Sequence, residues 1–192
     1  MIIGSHNSWS YLPPKKWWMK LIRFSARCQD LNIVKQYELG VRCFDLRIRF
    51  DENNRPVVAH GIIEYNIDES ELIQSLEWLN RKKDVVIRIL HEVRTRKQYT
   101  QESVKSFINY CSKLQCRFDK IKFWCGKNLY DWREDFNFSY KPTCEEKYAS
   151  VCKPKIIDDW YPRLFAKRNN REIIEEGTNK DILLIDFVNY GN

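Results

Sequence analysis

The chain predicts an α/β fold, a small and irregular TIM-type (β/α) barrel built as one domain over residues 1–192. Three observations predict it. Apolar strand-like runs alternate with segments of helical period, the pattern of a parallel sheet, open or closed. Polar residues able to do chemistry (His6, Arg47, His60, His91 or Glu92, and Asp186) fall at or near the ends of those runs. A parallel barrel collects its functional groups at the carboxyl ends of its strands. Finally, no internal repeat, low-complexity tract or linker interrupts the chain.

Each element has its own signal. Met1-Ile2-Ile3 is a short buried strand. Residues 29–39 read as a helix, with Leu31, Val34 and Leu39 broadly on one side and Gly40 as its stop. Val41 to Phe50 and Val57 to His60 are strands joined by the polar turn 51–56. Asp68-Glu69-Ser70-Glu71 has the form of a capping box, and the helix it opens places Leu72, Ile73, Leu76 and Leu79 on its buried face. Asp84 to Leu90 is an apolar strand broken by Arg88. A second helix carries Val104, Phe107, Ile108, Cys111 and Leu114 at helical spacing, and Ile121 to Cys125 is a further strand. Between Gly126 and Arg168 no clear period survives. Glu172 to Glu176 reads as a short helix stopped by Gly177, and Asp181 to Phe187 as a last buried strand.

Composition excludes some classes and leaves others open. The apolar and charged fractions are those of a soluble globular protein, and no stretch is long and apolar enough to cross a bilayer. No signal peptide is evident ahead of the first strand, so a cytoplasmic location, peripheral to membranes, is expected. Seven cysteines without a C-x-x-C argue against a zinc site and for reduced thiols, with Cys43 and Cys111 as small buried hydrophobes. The net charge of +7 points to an anionic partner, a membrane surface or a nucleic acid.

The residues at the strand ends have complementary roles. A lone histidine in a strand is usually structural, but two histidines flanking an acid and an arginine are a different matter. His6 follows the permissive Gly4-Ser5, and His60 precedes Gly61. Asp45 and Arg47 are two apart on a strand and so share a face. Two imidazoles can divide general-base and general-acid work near neutrality. An arginine between them can hold a phosphate whose charge rises during transfer. The residues thus suit phosphodiester cleavage.

Gly4-Ser5-His6-Asn7-Ser8, Gly40 to Arg47 and Val58-Ala59-His60-Gly61 together resemble the catalytic X region of phosphatidylinositol-specific phospholipase C. The closing Leu184-Ile185-Asp186-Phe187-Val188-Asn189 is similar to the last barrel strand of its bacterial, metal-independent members. The resemblance covers residues 1 to about 92 and 181 to 189. It implies that His6 is the general base on the inositol 2-hydroxyl, oriented by Asp186, and that Arg47 binds the phosphate. It further implies that His60 is the general acid to the diacylglycerol oxygen, with Asp45 as its neighbour. The implied substrate is an inositol phospholipid or glycolipid, and no cofactor or metal is expected. Asn7 departs from the aspartate usual in bacterial members and matches the asparagine of calcium-dependent ones. Arg47 stands where those place a carboxylate, and a guanidinium there disfavours a divalent cation. Asn7, Arg88, His91 and Glu92 are expected around the substrate, although an Arg88–Glu92 ion pair is an equal reading. Lys127, Tyr130 and Trp160 are weaker candidates for inositol contacts.

The segment Trp9 to Phe24 interleaves tryptophans with lysines and arginine. Trp9, Lys16, Trp17 and Trp18 are therefore expected at an anionic membrane interface, the alternative being an aromatic lid packed on the barrel. Nucleic-acid binding lacks a fold signature. A monomer is expected. Other readings are a headgroup-binding module without turnover, a glycerophosphodiester phosphodiesterase-like barrel enzyme that would need a metal cluster, and a ribonuclease-like two-histidine enzyme.

Overall fold

The computed structural model describes residues 1–93, 100–124, 139, 147–149, 161–175 and 182–190. Lys127, Tyr130 and Trp160 lie outside them. Its elements run β1 (Ile2–Ser5), α1 (Ile33–Glu38), β2 (Cys43–Phe50), β3 (Pro56–His60), β4 (Ile63–Glu64), α2 (Glu69–Asn80), β5 (Val86–His91), α3 (Gln101–Arg117), β6 (Lys122–Trp124), β7 (Lys147–Ala149), α4 (Pro162–Glu175) and β8 (Ile182–Ile185). The strands form one eight-stranded sheet. β1 lies between β2 and β8, β5 pairs with β2 and β6, and β7 pairs with β8, all parallel.

Two expectations need correcting. Among the described residues the sheet does not close into a barrel, because β6 and β7 are left as its edges. The first and last strands nevertheless pair with each other, so the gap lies elsewhere than the chain ends. The second correction concerns β3, which is antiparallel to β2. The turn between them spans residues 51–55, and a parallel return needs a crossover of a dozen residues or more.

Helix starts follow local chemistry. Asn32 caps α1 by accepting from the Lys35 amide, so the helix starts later than residue 29. The capping box at Asp68 and Glu71 forms as the sequence reads, and α2 buries Leu72, Leu76 and Leu79 while Ile73 is only partly covered. α4 is much longer than the 172–176 segment read from sequence, since its buried stripe is Pro162, Ala166 and Asn170, too small and polar to announce a period.

Strand alternation sorts the core into two sides. Phe44, Leu46, Ile48, Ile87 and Ile89 pack outward with residues of α2 and α3 in the main cluster. The opposite side holds a smaller cluster of Cys43, Val86, Trp124, Ile182 and Leu184. A Cβ on Gly4 would meet Leu184 Cδ2 at 2.6 Å and Cys43 Cβ at 3.0 Å, so glycine permits that close packing. Above this plug the same face of β2 turns polar with Asp45, Arg47 and Arg49. That change of lining is where the candidate site begins.

Candidate active site

β1 ends in a turn that Asn7 makes in the left-handed region, at φ 46°. The Ser8 amide donates to the Asp45 carbonyl (3.0 Å), and the Asp45 amide returns a bond to Ser8 Oγ (2.8 Å). The turn is thus fastened to β2, and His6 is aimed across the sheet end. From the other side, β8 delivers Asp186. His6 Nδ1 lies 2.7 Å from Asp186 Oδ1, and the carboxylate fixes the proton on Nδ1. Nε2 therefore keeps its lone pair, and it faces Arg47 Nη2 at 2.7 Å.

Arg47 is held on its other edge by carboxylates. Its Nε donates to Asp45 Oδ2 at 2.9 Å, and Nη1 lies 3.4 Å from Glu92 Oε2. Asp45 also receives Arg88 Nη1 at 2.6 Å and the Asn7 amide at 2.9 Å. Burial alone would raise the Asp45 carboxyl, but Arg47 and Arg88 hold it well below the usual carboxylate range. Asp45 and Arg88 are both fully buried cross-strand neighbours, and Arg88 pairs with Asp45 rather than with Glu92.

His60 completes the group. Its ring meets the His6 ring edge-on, with centroids 5.5 Å apart. Its Nδ1 donates to the Ala26 carbonyl at 3.1 Å, which leaves Nε2 for chemistry. Burial, then the charge of Arg47 and the proximity of His6, push this imidazole down to about 3. Asp45 is not its hydrogen-bond partner, since both carboxylate oxygens are taken by guanidinium and amide donors. The Gly61 amide that follows His60 donates to Glu92 Oε1 at 2.8 Å, and Arg49 donates to the Gly61 carbonyl. Glu92 thereby ties the arginine to the strand end that carries the second histidine.

Two sequence candidates lie elsewhere. His91 is one residue from Glu92 and so faces the opposite side, stacked on Phe107 (centroids 4.8 Å) with Phe50 beside it. Burial and Arg49 push it down to about 4. Trp9 is fully buried, its Nε1 donating to Ser75 Oγ of α2 at 3.3 Å, and it does not reach the surface. The rest of the aromatic segment does. A 3-10 turn over Trp17–Leu21 exposes Trp17 and Leu21 at 77% each, with Trp18 and Lys16 also exposed. Beside it Phe24 stacks on Tyr161 over a groove of about 390 Å³, lined also by Lys20, Arg23, Arg27 and Arg163.

Several supporting residues escaped the sequence reading. Gln29, fully buried, donates from Nε2 to the carbonyls of His6 (3.1 Å) and Ile185 (2.9 Å), locking the ends of β1 and β8 together. Asn170 of α4 donates to the carbonyls of Asp186 and Phe187. Cys28 places its thiol within 4.8 Å of ligand atoms of His6 and Asp186, the closest approach to a metal-binding trio among the described residues. Burial pushes the Cys28 thiol far up, and a cation on His6 Nδ1 would send the proton to Nε2, against Arg47. The trio therefore suits protons better than metal. Cys28 sits in an irregular stretch where no period marks it, and Gln29 opens the segment read as a helix, although the helix itself begins at Ile33.

Solved structures with this architecture exist. The phosphatidylinositol-specific phospholipase C of Listeria monocytogenes superposes with a TM-score of 0.64 at 15% identity, covering 99% of this chain and 89% of that one. The Staphylococcus aureus enzyme gives 0.61 at 14% identity, and a variant of it 0.66 at 16%, each covering 97% of this chain and 85% and 84% of theirs. The chain shares their fold. No family model matches the sequence, and no curated protein does. Identity this low carries the architecture and leaves the chemistry to the residues themselves. Among the described residues no helix is long and apolar enough to cross a membrane.

Proposed function

We propose that this protein is a phosphodiesterase that cleaves phosphatidylinositol or a related inositol glycolipid, without a metal, at an anionic membrane surface. One observation carries the reading: His6, backed through Nδ1 by Asp186, turns Nε2 to the guanidinium of Arg47 at 2.7 Å, with a second imidazole alongside. A base, a phosphate anchor and a second proton carrier thus converge on one spot. The fold shared with bacterial phospholipases C is in keeping with a phosphodiesterase.

Arg47 Nη2 covers the base. A phosphodiester anion is a stronger acceptor than a neutral imidazole, so it draws Arg47 Nη2 to itself and uncovers Nε2. The inositol 2-hydroxyl then gives its proton to His6, its oxygen bonds to phosphorus, and the bond from phosphorus to the glycerol oxygen breaks. His60, which must take up a proton from solvent on Nε2 to reach the productive form, supplies it to that leaving oxygen. The products are diacylglycerol and a cyclic inositol phosphate. The adjacent hydroxyl is a nucleophile already in position, which removes the entropy of a bimolecular encounter. Asp45 and Glu92 keep Arg47 oriented, and the phosphate's negative charge offsets the depression that Arg47 imposes on His60.

The test is phosphorus-31 NMR of the products formed from phosphatidylinositol vesicles. A cyclic phosphate is expected from the wild type, with turnover lowered by about 10²- to 10⁴-fold in His6→Ala and in His60→Ala. Linear monophosphate from the outset, or full activity in either variant, overturns the reading. Binding of vesicles with no product at all would leave a headgroup-binding module in its place.

A further inference from the structure

The second imidazole is not oriented by an acid. Its Nδ1 is held by the backbone carbonyl of Ala26, and that oxygen has an unusual number of donors. His60 Nδ1 (3.1 Å), Tyr65 Oη (3.1 Å), Asn7 Nδ2 (3.3 Å) and Cys28 Sγ (3.6 Å) all converge on it. A carbonyl has two lone pairs, so these donors share it and its position is set by several groups at once. Tyr65 is the strongest of the supports. It is only 1% exposed, its hydroxyl donates to Ala26 O and accepts from Asn7 Nδ2 at 3.1 Å, and burial pushes its phenol far up. The phenol therefore stays a donor throughout the working pH range.

We infer that Tyr65 is a positioning residue for His60, acting through the Ala26 carbonyl in the place where an acidic partner would otherwise stand. This rests on the proton-donor role proposed above for His60. A carbonyl, unlike a carboxylate, adds no charge to the imidazole. It fixes the ring and the tautomer while leaving the proton on Nε2 easy to release. Tyr65 fits this task because its own backbone is tied to β3, its amide bonding the Val58 carbonyl at 2.9 Å. The phenol thus ties the strand that carries His60 to the oxygen that orients His60. Ala26 in turn closes the 3-10 turn Arg23–Ser25, its amide bonding the Arg23 carbonyl at 3.1 Å. The acceptor for His60 is therefore the last residue of the segment that exposes Trp17, Leu21 and Phe24. A shift of that segment on a lipid surface would reach the imidazole through one hydrogen bond.

Tyr65→Phe removes the hydroxyl and keeps the ring in the core. Two substrates separate positioning of the proton donor from general damage: phosphatidylinositol, whose alkoxide must be protonated as it leaves, and a nitrophenyl inositol phosphate, whose phenolate leaves unprotonated. Tyr65→Phe is expected to lower kcat about 10-fold or more on the first and less than threefold on the second. Equal losses on both, or none on either, overturn the inference. A second measurement does not depend on turnover. The chain has only three histidines, so nitrogen-15 NMR assigns each ring. In the wild type the His60 Nδ1 proton is expected to be held and slow to exchange, and in Tyr65→Phe it shifts and exchanges faster. An unchanged His60 signal in the variant overturns the inference even if the wild type cleaves neither substrate, an outcome that would sink the proposed activity separately.

Discussion

As the proposed proton donor, His60 has an awkward starting point, since burial and the neighbouring Arg47 hold it neutral at pH 7, down at about 3. The sign of the consequence is fixed. The productive form needs His60 protonated and His6 unprotonated, and above pH 3 the protonated fraction of His60 in the free protein falls about tenfold per pH unit. Since kcat/KM reports the free enzyme, it is expected to rise as pH is lowered from 8 toward 6. A kcat/KM that is flat or increases toward pH 8 would contradict the assignment of His60 as proton donor. The second residue-scale point is the Asp45–Arg88 pair, both members fully buried. The pair as a whole is no guarantee of stability, but removing one partner strands the other. Arg88→Met is expected to cost about 3–5 kcal/mol in urea unfolding. It should also raise KM, because Asp45 would then pull harder on Arg47. An unfolding free energy within 1 kcal/mol of wild type, on the order of ordinary surface substitutions, would show that Arg47 alone satisfies Asp45.

Among the described elements, the 3-10 turn Trp17–Leu21 buries Met19 but leaves its other large apolar side chains in solvent. Trp17 and Leu21 are each 77% exposed, next to Lys16 and Lys20, so the turn offers apolar tips with cations beside them. The double variant Trp17→Ala, Leu21→Ala is expected to weaken binding to anionic vesicles by roughly 10- to 100-fold. Turnover of a soluble monomeric substrate and the melting temperature should stay as they are, since neither side chain supports the core. Loss of thermal stability instead would mean that the turn packs as a lid. Legibility in the sequence follows the same physics of local signals. α2 was readable because Asp68 and Glu71 cap it and its leucines recur at helical spacing. The run Lys167-Arg168-Asn169-Asn170-Arg171 hid α4 because its buried positions are small or polar. His6, Arg47, His60 and Asp186 stood out as charged or titratable groups where apolar strands end, and the structure brings these four together. His91 was misplaced because strand faces alternate and a one-residue slip exchanges them. Cys28 and Ala26 were invisible, since an irregular stretch has no period and a backbone carbonyl has no residue type to read, and Gln29 was read as the start of a helix that begins only at Ile33.

For the whole molecule, acid is the condition that tests how these groups are buried. His91 is 2% exposed between β5 and α3, and burial followed by Arg49 brings it from 6.5 down to about 4. In the unfolded chain the same imidazole takes up its proton near 6.5. Between those values the unfolded state binds more protons than the native one, so stability is fully present above about pH 6.5 and is lost as pH falls toward 4. The window corresponds to about 3 kcal/mol from His91. His60 acts in the same direction, although its partly exposed ring makes its share smaller than burial alone would give. Carboxylates such as Asp45, held low by guanidinium partners, add their own losses only at still lower pH. His91→Phe, which keeps a ring against Phe107, isolates the first contribution. Urea unfolding at pH 7 and pH 4.5 is expected to show a marked loss of stability in the wild type and a clearly smaller one in the variant. Equal losses in the two proteins would mean that His91 takes its proton inside the folded molecule, and that α3 gives way there to let water in.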